Sequence, residues 1–364
     1  MNKNKLKIAV AMSGGVDSSV AAKILKDQGH DVVGIFLHFW KETPPFKKGG
    51  RGDLNFENKC CSAEALLDAR RVADKIGIPL YTLNFAKIFK EKVVNNFLDE
   101  YKKGRTPNPC VRCNKSIKLG YLIKQAKKLG FDYVASGHYA KKLNGKLYKA
   151  KDKNKDQSYF LYTFNQKELA HLLFPLGGYT KPQVRRLAEK FKLPVAEKPE
   201  SQEICFIPGK SHNEFLRRHL KLRPGKIKTV SGENVGCHQG LPLYTIGQRK
   251  GIAIGGTGPY YAAKMDYKKN ILYVVNNWND KLLFRNELMA KNVNWLAGVE
   301  PNLPLKCEAV IRYRHKPAKC VVTKLLKNKY QVKFNQAQRA ITPGQSAVFY
   351  KNDEVIGGGI ICQN

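Results

Sequence analysis

This sequence predicts an α/β chain: a parallel-sheet domain, then a small central domain, then a C-terminal β-barrel. Three observations carry that reading. Over the first 135 residues strand-like runs alternate with amphipathic helical segments, as βαβ units do in a parallel sheet covered on both faces. From about residue 212 the texture turns to one short helix and short, Gly-punctuated β segments. Beyond about 281, short strands recur at the spacing of a small barrel or sandwich. The 364 residues exceed one ordinary domain, and we read domains at 1–211, 212–280 and 281–364.

Strands are predicted at "KIAVAM", "HDVVGIFLHF", "PLYTLNF" and "FDYVAS", with helices over 17–28, 62–76, 87–102 and 115–129. Right-handed crossovers align the strand C-termini along one edge, where such sheets bind ligands. "KETPPFKKGGRGDLNFENK" (41–59) interrupts the alternation and reads as a mobile loop over that edge. Asn144–Gly145 between alternating residues signals a hairpin. Helices are expected near 158–172 and 181–192, followed by the loop "EKPESQEICFIPG". "HNEFLRRHL" opens the central domain, and "CEAVIRYRH", "KCVVTKLL", "YQVKFN" and "SAVFYKNDEVIGGGII" supply barrel strands.

Hydrophobic residues make up 43% of the chain, enough for real cores. Lysine and arginine number 65 against 29 acids, a formal charge of +36. Such an imbalance points to a polyanion partner, nucleic acid first; the bland alternative is an organism-wide lysine bias. No apolar run approaches the roughly 20 residues of a membrane span. The basic N-terminus leads into too short an apolar run for a signal peptide, so a cytoplasmic location without membrane attachment is expected. There the nine cysteines would mostly be reduced thiols, and an odd count argues against a disulfide scaffold.

Ser13, Gly14, Gly15, Val16, Asp17 and Ser18 lie between the first strand and the first helix. The glycines permit a tight turn and close ligand approach, and the helix start offers N–H groups and a positive dipole end to an anion. Ser13 and Ser18 add donors, and Asp17 can help to place Mg2+. The lysine of a G-x-x-x-x-G-K-[ST] loop is missing. A loop that grips pyrophosphate without it suits attack at the α-phosphate of ATP. "SGGVDS" in this context resembles the PP-loop of the ATP pyrophosphatases, which adenylate their substrates.

"TPNPCVRCN" places Cys110 and Cys113 in a C-x-x-C spacing before a helix, with Arg112 and Lys115 close by. Helix starts and nearby cations favour thiolate. From spacing alone this is half a zinc site, a redox pair or a nucleophile; zinc would want two further ligands, and no second C-x-x-C exists. Cys205, alone in "ESQEICFIP", is a small buried hydrophobe or a nucleophile.

"SGGVDSSVAA", "TPNPCVRCN", "SGHYA", "KDQSYFLY", "SQEICFIP" and "LYTIGQRKG" occur in the order found in the tRNA-specific 2-thiouridylases, and "IRYRH" and "TPGQSAVFY" extend the resemblance to nearly the whole chain. The resemblance implies a sulfurtransferase whose PP-loop domain is adenine nucleotide alpha hydrolase-like. Its target would be the wobble uridine of the glutamate, glutamine and lysine tRNAs, activated at O2 by ATP with Mg2+. A persulfide on Cys205, loaded by a sulfur carrier protein or a cysteine desulfurase, would then deliver sulfur to C2. Cys113 would release sulfide from it or close a disulfide with Cys205. Cys110 stands where many family members carry an aspartate given acid–base work. Three thiols, Cys110, Cys113 and Cys205, also suggest a second mechanism to the same product, through a [4Fe–4S] cluster with one open iron.

The resemblance places Ala11, Met12, Ser13, Gly14, Gly15, Val16, Asp17, Ser18, Leu37 and Gly137 around ATP. It places Asn108, Pro109 and Cys110 beside the target base, and His138, Lys155, Asp156, Gln157, Arg312, Tyr313 and Gln345 against tRNA. Taken alone, Leu37 reads as core, Gly137 as a turn and Lys155–Gln157 as a solvated loop. On a barrel strand alternate residues share a face, so Arg312 and Arg314 should lie opposite Tyr313. Residues 301–364 hold 11 basic residues against three acidic, as a backbone-gripping barrel requires. A PP-loop amidating ligase would leave these cysteines idle. An RNA-binding protein with a vestigial nucleotide loop would release no pyrophosphate.

Overall fold

The computed structural model describes residues 5–40, 62–200, 204–207, 212–252, 254, 258–326 and 328–362. The predicted loop 41–59 and Cys60–Cys61 lie outside the described residues. The first layers are β1 (Lys7–Met12), α1 (Val16–Asp27), β2 (Asp31–His38), α2 (Ala63–Ile76) and β3 (Leu80–Asn84). The predicted helices 87–102 and 115–129 are each broken by a wide turn. One comprises α3 (Ala86–Phe89) and α4 (Asn95–Lys102) around Lys90–Val94. The other starts earlier than predicted: α5 (Pro109–Cys113) already holds Cys110 and Cys113, which the sequence places before the helix, and it runs through Asn114–Lys118 into α6 (Gly120–Lys128). After β4 (Tyr133–Ser136) come the hairpin β5 (Ala140–Leu143) and β6 (Lys146–Lys149), then α7 (Gln166–Ala170), β7 (Leu172–Leu173) and α8 (Lys181–Lys190).

The five-stranded sheet runs β3-β2-β1-β4-β7, parallel throughout. Alternation within β1 builds both faces of it. Ile8, Val10 and Met12 pack with α1, α2 and α8, while Ala9 and Ala11 face the cluster of Phe89, Phe97, Ile117 and Leu122. Chain order reverses between β1 and β4, so the crevice beyond their C-terminal ends is the expected ligand position. The PP-loop leaves β1 there and Gly137–His138 leaves β4 there.

α9 (His212–His219) leads into a small sheet of order β10-β11-β8-β9, formed by β8 (Gly225–Thr229), β9 (Asn234–His238), β10 (Tyr261–Asp266) and β11 (Ile271–Val275). The last six strands are β12 (Phe284–Trp295), β13 (Leu305–Val310), β14 (Ala318–Leu326), β15 (Lys329–Arg339), β16 (Ser346–Lys351) and β17 (Glu354–Ile361). Pairing of β12 with β17 closes them into a barrel. β17 also pairs with β6, so the predicted hairpin, with Asn144 at φ 48 and Gly145 at φ 74, extends the barrel sheet. Among the described residues no helix is long and apolar enough to cross a membrane.

Two local expectations are corrected. Residues 158–172 are not one helix: a single tight turn at Ser158–Phe160 precedes α7, and Leu172–Leu173 is a strand. Asn165 and Glu168 form a reciprocal capping box that fixes the start of α7, while Tyr162 and Phe164 are buried in the core. Tertiary burial mimicked helical periodicity there. Likewise β13 ends at Val310. Arg312–His315 therefore forms a turn, with Arg314 at φ 65, and the predicted two-sided strand face does not exist.

Candidate active site

Gly15 is the N-cap of α1 and no side chain caps that end, which leaves first-turn N–H groups available to an anion. The loop's own hydroxyls pre-shape it. Ser18 Oγ accepts from the Ser13 N–H at 3.2 Å and lies 3.3 Å from Ser13 Oγ. Gly14 sits at φ +68, and a Cβ there would fall 2.1 Å from the Ala65 carbonyl oxygen at the start of α2, so only glycine fits. Gly137 presses on the same turn, since a Cβ would come 2.7 Å from the Ser18 nitrogen. Leu37 lies in the core at 4% exposure.

Asp17 is the centre of a polar network that the sequence did not reveal. The Tyr139 hydroxyl donates to its Oδ1 at 2.8 Å, and Lys181 Nζ donates to the same oxygen at 2.7 Å. Oδ2 takes no hydrogen bond from the described residues. Lys181 also reaches Glu200 Oε1 at 3.1 Å, and Lys155 pairs with Glu200. Burial, followed by the Asp17 charge, pushes the Tyr139 hydroxyl up, so it remains a donor.

Cys110 and Cys113 lie on α5, and Lys118 of the turn that follows acts both on them and on His138 next to Gly137. Asn108 Oδ1 accepts from Val111 N–H and caps α5, and Asn108 also bonds the Tyr159 hydroxyl. Pro109 opens the helix. Cys110 reaches solvent yet is surrounded by enough protein for burial to dominate its acidity, the position of a cleft wall. Burial first, and Cys205 second, push Cys110 up to about 12, against the Lys118 cation. Cys113 is buried and raised by the same two causes, opposed by the Lys118 ammonium and by the Lys118 backbone N–H bonded to it. Cys205 thus acts on both sulfurs.

The turn Asn114–Lys118 is what brings Lys118 there: Leu119 N–H donates to Asn114 O at 3.1 Å, an i→i+5 bond. Such wide turns concentrate at functional sites. His138 is buried against Ser136 Oγ at 2.8 Å, and burial and then Lys118 hold its imidazole well below the usual value, hence neutral.

The barrel closes the other side. Gln345 Nε2 donates to the carbonyls of Thr106 at 2.9 Å and Pro107 at 3.3 Å, tethering the segment that leads into α5. Arg312 Nη2 donates to Thr342 Oγ1 at 2.9 Å, and the Tyr313 ring lies 4.4 Å from that of Phe160. Between α5 and the barrel is a cavity of about 270 Å³, lined by Asn108, Arg112, Lys115, Tyr162, Lys291 and Ser346 among others. Asp156 accepts from the Ala150 and Ser158 N–H groups, and Gln157 Oε1 from that of Tyr139, so both brace the segment after β4.

Three family models match along the chain: the tRNA methyl transferase HUP domain over 6–209, the tRNA methyl transferase PRC-barrel domain over 213–276 and the aminomethyltransferase beta-barrel domain over 285–361. The tRNA-specific 2-thiouridylase MnmA of Carboxydothermus hydrogenoformans is 47% identical over 363 residues, spanning 98% of this chain and 97% of the relative. The tRNA-specific 2-thiouridylase MnmA 2 of Clostridium tetani is 46% identical over 99% of this chain and 100% of its own. This chain belongs to the tRNA-specific 2-thiouridylase family. A solved 4-thiouridine synthetase–RNA complex with bound ATP is a distant likeness, at 19% identity over 58% of this chain and 49% of its own, with a TM-score of 0.35.

Within this thiouridylase the predicted residues fall into two groups. Residues 11–18 pack against Gly137, and Cys110, Cys113 and Cys205 act on one another, with Lys118 acting on the thiols and on His138 next to Gly137. Asn108, Gln157 and Gln345 spend their polar groups on protein partners. Among the described residues no three His, Cys, Asp or Glu side chains gather as a metal-holding group. Sequence reasoning missed Tyr139, Lys181, Glu200 and Lys118. The one local hint was Gly120 after "KSIKL", whose Cβ would fall 1.8 Å from Lys115 O.

Proposed function

We propose that this protein catalyses ATP-dependent 2-thiolation of the wobble uridine in cytoplasmic tRNAs of the glutamate, glutamine and lysine type. The observation that carries it is a linked pair of features. An uncapped helix start follows Ser13–Gly15 and packs against Gly137, while Cys205 perturbs both Cys110 and Cys113, and Lys118 acts both on those thiols and on His138 beside Gly137. The first part supports adenylation. ATP lies against residues 11–18, Leu37 and Gly137, with phosphates on the α1 N–H groups. Uridine O2 attacks the α-phosphorus, the bond to pyrophosphate breaks, and C2 is left bearing an AMP leaving group. Asp17 Oδ2 is the carboxylate oxygen that would hold a Mg2+ carried with ATP, and such an ion would supply charge neutralisation for the departing pyrophosphate.

The second part supports sulfur transfer. A sulfur carrier protein or cysteine desulfurase loads Cys205 as a persulfide. Its terminal sulfur attacks C2, and AMP departs with O2. Cys113 then attacks the Cys205 sulfur, the bond from that sulfur to the thiolated base breaks, and 2-thiouridine leaves with the electron pair. The two cysteines end as a disulfide, which an external dithiol reduces before the next cycle. Cys110 takes the place where many family members carry an aspartate given acid–base work.

Domains 1–211, 212–280 and 281–364 act as catalytic unit, linker and RNA grip. Arg312, Tyr313 and Gln345 with His138, Lys155, Asp156 and Gln157 shape the tRNA path, along which the uridine flips inward. Asn108 and Pro109 hold the wall beside the base. The test is Cys205→Ser: tRNA-dependent pyrophosphate release stays within about threefold, while thiolated product falls by at least about a thousandfold. Normal thiolation by this variant would overturn the persulfide assignment.

A further inference from the structure

The sequence lacks the lysine that follows the glycines of an ordinary phosphate loop, and the fold brings one from elsewhere. Lys181 lies 164 residues after Asp17 in the chain and is 8% exposed. Pro182 and the Thr180–Gln183 capping pair fix its backbone at the first turn of α8, and its own N–H donates to Asp152 Oδ2 at 2.8 Å. Its ammonium spends one donor on Asp17 Oδ1 at 2.7 Å and one on Glu200 Oε1 at 3.1 Å. An ammonium carries three donors, so one is left among the described residues.

A buried lysine tied only to structure would be an expensive choice, because desolvating the ion costs more than the pair returns unless geometry is excellent. Its placement gives another reason. Asp17 is in the first turn of α1, where phosphates must lie, and its carboxylate would repel them. The set Asp17, Glu200, Lys181 and Lys155 is electrically balanced without nucleotide, so a polyphosphate entering it meets no net repulsion. We propose that Lys181 is this enzyme's phosphate-loop lysine, giving its third N–H to the ATP phosphates while masking Asp17. This rests on the reading that ATP binds at residues 11–18.

A double-mutant cycle tests it, the paired variant leaving no carboxylate at position 17 to be unmasked: Asp17→Asn, Lys181→Met and the pair together, read as KM for ATP in tRNA-dependent pyrophosphate release. If Lys181 touches phosphate, adding Lys181→Met to Asp17→Asn raises KM a further tenfold to a hundredfold, as loss of a charge-assisted hydrogen bond should, and Lys181→Arg restores part of it. If Lys181 serves only to pair Asp17, the double variant matches Asp17→Asn within about twofold and the inference falls. The Ser13→Ala/Ser18→Ala protein separates the parent reading. Unchanged KM there would remove ATP from the loop altogether, whereas raised KM there with a silent Lys181 cycle would sink the lysine alone.

Discussion

Cys110 carries a thiol that its surroundings keep protonated. Burial, then Cys205, push it up to about 12, and a raised value means the thiol form persists until pH approaches 12. At pH 8 only about one molecule in ten thousand carries the thiolate. Since the thiolate is the nucleophile, iodoacetamide should label Cys110 slowly at pH 8 and about tenfold faster per pH unit up to about 11, read by peptide mass spectrometry. A plateau near pH 9 would show an ordinary thiol and refute the effect of burial on it. At this scale the sequence was a good guide wherever chemistry is contiguous: "SGGVDS" and "TPNPCVRCN" each hold a site in one turn. It was silent on Lys181 and Tyr139, because no local pattern marks a partner 164 or 122 residues away.

The element that aims the thiol helix is the wide turn Asn114–Lys118, and Gly120 makes it possible. Any Cβ at 120 would fall 1.8 Å from Lys115 O, so Gly120→Ala must shift the backbone at that turn and move Lys118 off the cysteines. We expect a loss of about 2 kcal/mol or more in stability by denaturant melt, with thiolation falling more than pyrophosphate release. Full stability and activity would mean the turn relaxes freely. Periodicity located helix 115–129 but not this break, because the wide turn continues helical backbone and no proline or cap side chain marks it. Similarly, alternation in "CEAVIRYRH" announced a strand but not its end at Val310. The end is set by the turn at Arg312–His315, where Arg312 bonds Thr342.

At the scale of the molecule, the charge of +36 has a consequence that no single contact has. Each neutralised phosphate releases counterions, so tRNA binding should weaken about a hundredfold or more between 50 and 200 mM salt, along a straight log–log line. The slope should be the same in Cys205→Ser, since the thiol makes no phosphate contact. Salt-independent binding would refute a backbone-gripping barrel and leave the lysine excess as compositional bias. The assembly of parts is also decided here. Gln345 and Pro343 of the barrel hold the Thr106–Pro107 segment, Thr245 of the central domain touches Thr106, and β6 joins β17. By itself the sequence determined the α/β layout, the barrel, the PP-loop motif and the candidate cysteines, because local periodicity and short motifs are written in contiguous residues. Only the tertiary structure decided which distant charges meet Asp17, how the barrel braces the thiol helix and that Cys205 acts on Cys110 and Cys113. Those choices depend on packing between segments far apart in the chain, and burial there, not residue type, sets which groups carry charge.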